Sequence, residues 1–180
     1  MKLLPLVLLV ATLSACTSKT SSQPADCQPP GIDNVNFSID SQEVVFEEGQ
    51  AAVEIPDLDG KTAVINYRLI ESATGDLDRD SDMDLAAVFQ VDPGGSGTFY
   101  HLAAALNDGC RSHAVESVYL GDRIQPESLT IYGSDHIDAG MIVAGLNVFA
   151  KDQSLSEKPM FYLTRMFRVD SSQLIEIPQY

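Results

Sequence analysis

The sequence predicts a mostly β protein: a single antiparallel β domain preceded by a cleaved signal segment and a flexible tether. Three observations carry this. Short runs of β-branched and aromatic residues recur along the chain, Gly, Asp and Pro break them at short intervals, and helical periodicity is hard to find. With 180 residues, 44% of them hydrophobic and 21% charged, the chain suits one globular core and leaves little room for a second domain.

Taken in order, the chain opens with a short basic start, Met1-Lys2, and an almost wholly apolar run over residues 3–13, then Ser14-Ala15-Cys16. This is signal-peptide architecture. The run is shorter than the roughly 20 residues of a spanning helix, and Pro5 weakens it further as a span. Leu13-Ser14-Ala15-Cys16 resembles the bacterial lipobox, which implies cleavage before Cys16, diacylglycerol on its thiol and acylation of the new amine. Several acyl chains, at roughly 0.8 kcal/mol per buried methylene, hold a protein almost irreversibly to a membrane. Thr17 is not aspartate, and in enterobacteria-like sorting that implies the outer membrane, with the protein facing the periplasm.

Residues 17–30 read TSKTSSQPADCQPP, too polar and Pro-rich for a core, so residues 16–31 are expected to form a lipidated tether and residues 32–180 the domain. With residues 1–15 removed, Cys27 and Cys110 remain beside the lipidated cysteine in a compartment that favours disulfides. Spacing alone leaves both a Cys27–Cys110 bridge and two free thiols open. Strands are expected near residues 44–46, 51–55, 62–70, 85–91, 98–106, 114–120, 128–132, 141–149, 161–169 and 174–177. Partial alternation of apolar and polar residues over 162–169 suits a strand with one buried face, which favours antiparallel pairing. Residues 99–107, rich in alanine, compete as a helix, but the preceding Gly94-Gly95-Ser96-Gly97 suits a hairpin link better.

A net charge of -15 with only 11 Lys and Arg argues against nucleic acid and against charge-driven binding to anionic lipid. It suits solubility, cation binding or a basic partner. The one segment with strong chemistry is the loop at 75–85, GDLDRDSDMDL, with a carboxylate at every second position. Calcium takes six to eight oxygens at about 2.3–2.6 Å, and a loop wrapping the ion offers side chains from alternate positions plus a backbone carbonyl. Asp76, Asp78 and Asp80 are the expected first ligands, Asp82 is expected to give its carbonyl, and Asp84 to close the site from the next strand. Without a cation these carboxylates repel one another, so binding orders the turn.

The segment resembles the D-x-[DN]-x-D-G-x-x-D calcium loops of FG-GAP, dockerin and thrombospondin type repeats. It departs from them at Arg79 and Ser81, where small residues or glycine are usual, and Ala87 stands where an EF-hand has its twelfth-position glutamate. Serine at a position wanting positive φ costs about 1 kcal/mol. The wider text, GDLDRDSDMDLAAVFQVDPGGSGTFYHLAAALNDG with VYLGDRIQPESLTI and EKPM after it, looks like a group of uncharacterised proteobacterial lipoproteins with GDLNGDG, GGSGTFYYLAAAL and GDRI segments. The resemblance spans residues 62–177 and implies a fold but no catalytic residue.

Other constellations are weaker. Gly94–Thr98 lacks the final glycine of a nucleophile elbow, and no Gly-Lys-Ser/Thr phosphate loop is present. His101, His113 and His136 have no metal-ligand spacing. Asp122 and Arg123 are expected to make a local turn contact. The reading that follows is a lipid-anchored envelope β protein with a structural calcium loop, noncatalytic and with an unidentified protein partner. Two alternatives stand: an envelope hydrolase or lyase working through acidic residues, with raised pKa values in a cleft, and an accessory that binds a soluble ligand on a concave apolar face.

Overall fold

A computed structural model describes residues 30–56, 62–109 and 111–179. The expected signal segment 1–15, Cys16, the expected tether as far as residue 29, and both Cys27 and Cys110 lie outside the described residues. Among the described residues there are only strands, and no helix long and apolar enough to cross a membrane.

The domain is one mostly antiparallel sheet, as its sequence predicts. A short hairpin of β1 (Asn36–Ile39) and β2 (Gln42–Val45) comes first. It is followed by a meander of β3 (Gln50–Pro56), β4 (Thr62–Gly75), β5 (Asp84–Asp92), β6 (Phe99–Asp108) and β7 (Arg111–Gly121). A second series follows, β8 (Ile124–Ile131), β9 (Ile142–Val148), β10 (Phe161–Asp170) and β11 (Gln173–Ile177). The strand order is β3-β4-β5-β6-β7-β11-β10-β9-β8. Among the described residues the only parallel links are at Glu116 of β7, which faces Ser38 of β1 and Gln173 of β11.

β7 is the joint between the two series, and its irregular pairing explains why. Against β6, the register breaks between Leu102 and Ala104, so that Glu116 and Ser117 both face the place of one residue. Such bulges bend a strand and increase its twist. The Glu116 carboxylate uses the break: it accepts hydrogen bonds from Ser38 Oγ (2.6 Å) and from the Ser41 amide (2.9 Å). Asp40 and Ser41, both at positive φ (51° and 61°), make the two-residue β1–β2 turn, so the carboxylate holds a turn that lacks the usual glycine.

β5 and β6 are buried on both faces, which explains their continuous apolar text LAAVF and LAAAL. Leu85, Ala87 and Phe89 of β5 face a core with the β1–β2 hairpin, where Phe46 stacks on Phe89 (4.4 Å between centroids) and Phe37 meets Phe89 edge-on (4.9 Å). Ala86 and Val88 face the other way, into a core with Ile142, Leu146 and Phe167. The alanines at the centre leave room for layers on both sides.

The strand expectations need three adjustments. β1 is too short and mixed for its periodicity to register, β4 continues to Gly75, and β8 starts at Ile124 by passing Pro126 through a register break. Proline is tolerated at such breaks because the ladder bond it cannot donate is already missing.

Candidate metal centre

The acidic loop links β4 to β5, and its base is the last pair of that ladder, Gly75 opposite Asp84. Gly75 has no room for a side chain, since a Cβ there would lie 2.6 Å from Cγ2 of Ile131 on β8. Leu77 is buried and fixes the loop into the second core. From there the chain turns twice through left-handed residues, Arg79 (φ 69°) and Ser81 (φ 79°), the two positions where the resembled loops carry small residues or glycine.

Loop carboxylates take up the loop's own amides. Asp78 accepts from the Asp80 amide (3.3 Å), Asp80 from the Asp82 amide (2.8 Å), and Asp76 Oδ2 from the Ser81 amide (3.1 Å). Asp84 is fully buried, at 0% exposure, and accepts from the amides of Leu77 (2.6 Å) and Asn107 (2.8 Å). Burial pushes its carboxyl up to about 6, against those two hydrogen bonds, with Asp78 and Asp80 adding repulsion. Burial likewise raises Asp78, helped by the charges of Asp80 and Asp76.

The five expected ligands do not converge on one point. Asp76, Asp78 and Asp84 bring one carboxylate oxygen each within 4.8 Å of the others, while Asp80 and Asp82 form a second trio with Asp108. Either trio could hold a metal ion. The Asp82 carboxylate is turned to the β6–β7 turn, where Oδ2 accepts from the Gly109 amide (2.6 Å), an orientation compatible with the backbone-carbonyl role expected of this residue. Asp108 escapes a reading of the loop alone, since it comes from the far end of β6. The available signal was the turn text Asn107-Asp108-Gly109, which pairing with β5 brings beside the loop.

The first trio fits a cation best. Its oxygen spacing matches two ligands on one calcium ion, which stand at most about 5 Å apart. Asp76 Oδ1 is buried and has no hydrogen-bond partner. Among the described residues no ion pair involves these three carboxylates. Arg79, the loop's cation, points away and donates from Nε (3.1 Å) and Nη2 (2.8 Å) to the Ala139 carbonyl. That contact seats the β8–β9 loop on the acidic loop. Gly140 completes the fit: it sits at φ 80°, and a Cβ there would stand 2.9 Å from the Leu77 carbonyl oxygen.

The remaining sequence candidates resolve otherwise. His101, His113 and His136 belong to neither trio. Arg123 does not serve Asp122; it donates to the carbonyls of Ala150 (2.9 Å) and Gln153, tying down the β9–β10 loop. Asp84 cannot meet a substrate while it is fully buried and capped by two amides. Compared with protein-family models, curated proteins and solved structures, the chain matches none.

Proposed function

We propose that this chain is a lipid-anchored envelope protein, held by Cys16 to the outer membrane and facing the periplasm, whose β domain carries a structural calcium ion and works by binding a partner, not by catalysis. The observation that carries the metal assignment is Asp76 Oδ1, a buried carboxylate oxygen without a donor, set among Asp78 and the buried Asp84. A buried carboxylate oxygen without a donor is costly, and a divalent cation would meet it while offsetting the mutual repulsion of the three clustered carboxylates. Calcium is favoured over magnesium because three protein carboxylates converge, where magnesium usually keeps several waters and takes one or two carboxylates, and over zinc by the lack of His or Cys in the trio. The likeness to known calcium loops supports the same choice, and the lipobox-like Leu13–Cys16 supports the anchor. Asp76, Asp78 and Asp84 would hold the ion, pinning the loop on which the β8–β9 loop rests.

The test is thermal unfolding of the full chain in EDTA, Mg²⁺ and Ca²⁺, beside a variant with Asp76→Asn and Asp78→Asn. For a Kd of about 10⁻⁴ to 10⁻³ M, 10 mM Ca²⁺ adds about 1.4–2.7 kcal/mol, or a few to ten degrees in Tm. An equal response to Mg²⁺, or an undiminished response in the variant, would remove calcium from the account.

A further inference from the structure

The β1–β2 hairpin packs on the face of β5 that carries Leu85, Ala87 and Phe89, with its turn toward the end of β5 opposite the acidic loop. Beyond the turn lies an open cavity of about 490 Å³, within the range of small-molecule sites. Its floor is deep, with Tyr67 3%, His101 4% and Val91 6% exposed. Phe99 and Tyr119 stand at its side with ring centroids 6.4 Å apart, and His101 lies 5.4 Å from the Tyr119 ring. Tyr119 is 47% exposed, an aromatic ring at the mouth of the cavity.

Asp40, at the tip of the hairpin turn, is the one carboxylate among the described residues of the lining, which include no Lys or Arg. Its nearest charge partner is His101, whose Nε2 stands 3.5 Å from Oδ2, at the limit of a hydrogen bond. Burial lowers the His101 pKa against the pull of Asp40 and Glu116, so the imidazole is neutral at neutral pH and leaves the carboxylate charge uncompensated. The side chain of Asp40 is 66% exposed and free to meet a ligand at the rim.

Aromatic faces beside a single uncompensated carboxylate attract a positive charge, and the apolar floor accepts a hydrocarbon body. From this geometry we infer a binding site for a small organic cation: an ammonium group set against Asp40, Tyr119 and Phe99, with its apolar body over Tyr67, Ile65 and Val91. Free amines and the cationic side chains of peptides share this chemistry, and the free small molecule is the occupant the cavity's size favours.

The test uses the full chain carried in lipid nanodiscs and three isosteric probes, 2-phenylethylammonium, 2-phenylethanol and phenylacetate, followed by titration calorimetry. The ammonium probe should bind at least about tenfold more tightly than the alcohol, with Kd in the millimolar range or below, and phenylacetate should give no heat. Asp40→Asn should abolish that preference while the domain stays folded, because asparagine tolerates the left-handed conformation at this position. Asp135→Asn, an equal charge change at an exposed site on the β8–β9 loop at the acidic-loop end, should leave the preference intact and separates the site from general attraction to an acidic protein. Equal binding of alcohol and ammonium, loss of preference in both variants, or no binding of any probe up to about 10 mM would overturn the inference.

Discussion

Replacing Asp84 by Asn gives the sharpest reading of the loop, because the side chain is fully buried and its two oxygens meet two amides. In the metal-free chain its pKa stands at about 6, against 3.8 for an ordinary aspartate. The folded chain therefore holds this proton more tightly than the unfolded chain. The group costs no stability at pH below 4; the cost grows as pH rises from about 4 to about 6 and is complete above that. At about 1.4 kcal/mol per pH unit, the full effect is on the order of 3 kcal/mol. Asparagine carries no charge and removes that dependence. It also turns an NH₂ toward one of the two amides, a fixed loss of about 1–3 kcal/mol at every pH. Urea unfolding in EDTA at pH 4, 5, 6 and 7 measures both effects. The stability difference between wild type and Asp84→Asn should favour wild type at pH 4 and shrink or reverse by pH 7. Calcium should restore the wild type's advantage at pH 7. A difference that stays constant from pH 4 to 7 in EDTA would refute the argument that Asp84 is an uncompensated buried acid.

Other outcomes follow from the same geometry. Ser81→Gly relieves a left-handed serine (φ 79°) while keeping the amide bond to Asp76, and should raise stability by about 0.5–1 kcal/mol in denaturant unfolding. Phe89→Ala opens the aromatic cluster with Phe37 and Phe46 and should cost about 3–5 kcal/mol, read as a lower urea midpoint. Glu116→Gln weakens the grip on the β1–β2 turn and should cost about 1 kcal/mol, with amide exchange rising first at Ser41. Cys16→Ser should abolish incorporation of labelled fatty acid and release the chain from the membrane fraction; retention of label would remove Cys16 as the lipidated residue, and absence of label from the wild type would remove the lipid anchor.

Much of the fold was legible because strand text is local. The alternation over 162–169 and the turn residues around each strand mark β10 and its neighbours without reference to the rest of the chain. What was not legible depends on partners distant in sequence. β1 carries only Asn36–Ile39, and what makes it a strand is its pairing with β2 and Glu116, far along the chain. The acidic loop shows the same division. Alternate aspartates pointed to cation chemistry, but whether they aim at one point depends on the left-handed turns at Arg79 and Ser81 and on Asp108 arriving from β6. The cavity beside Asp40 left no mark in the sequence, since its described lining is drawn from the β1–β2 hairpin and from β3, β4, β5, β6 and β7 with their connections.

The central claim is that one calcium ion sits on Asp76, Asp78 and Asp84. A crystal structure of the chain grown with Ca²⁺, with anomalous scattering recorded for calcium, tests it most directly. The account predicts one strong anomalous peak about 2.3–2.6 Å from an oxygen of each of those residues, with Asp76 Oδ1 among its ligands. A map without a peak there, or with its peak on Asp80, Asp82 and Asp108 instead, would contradict it.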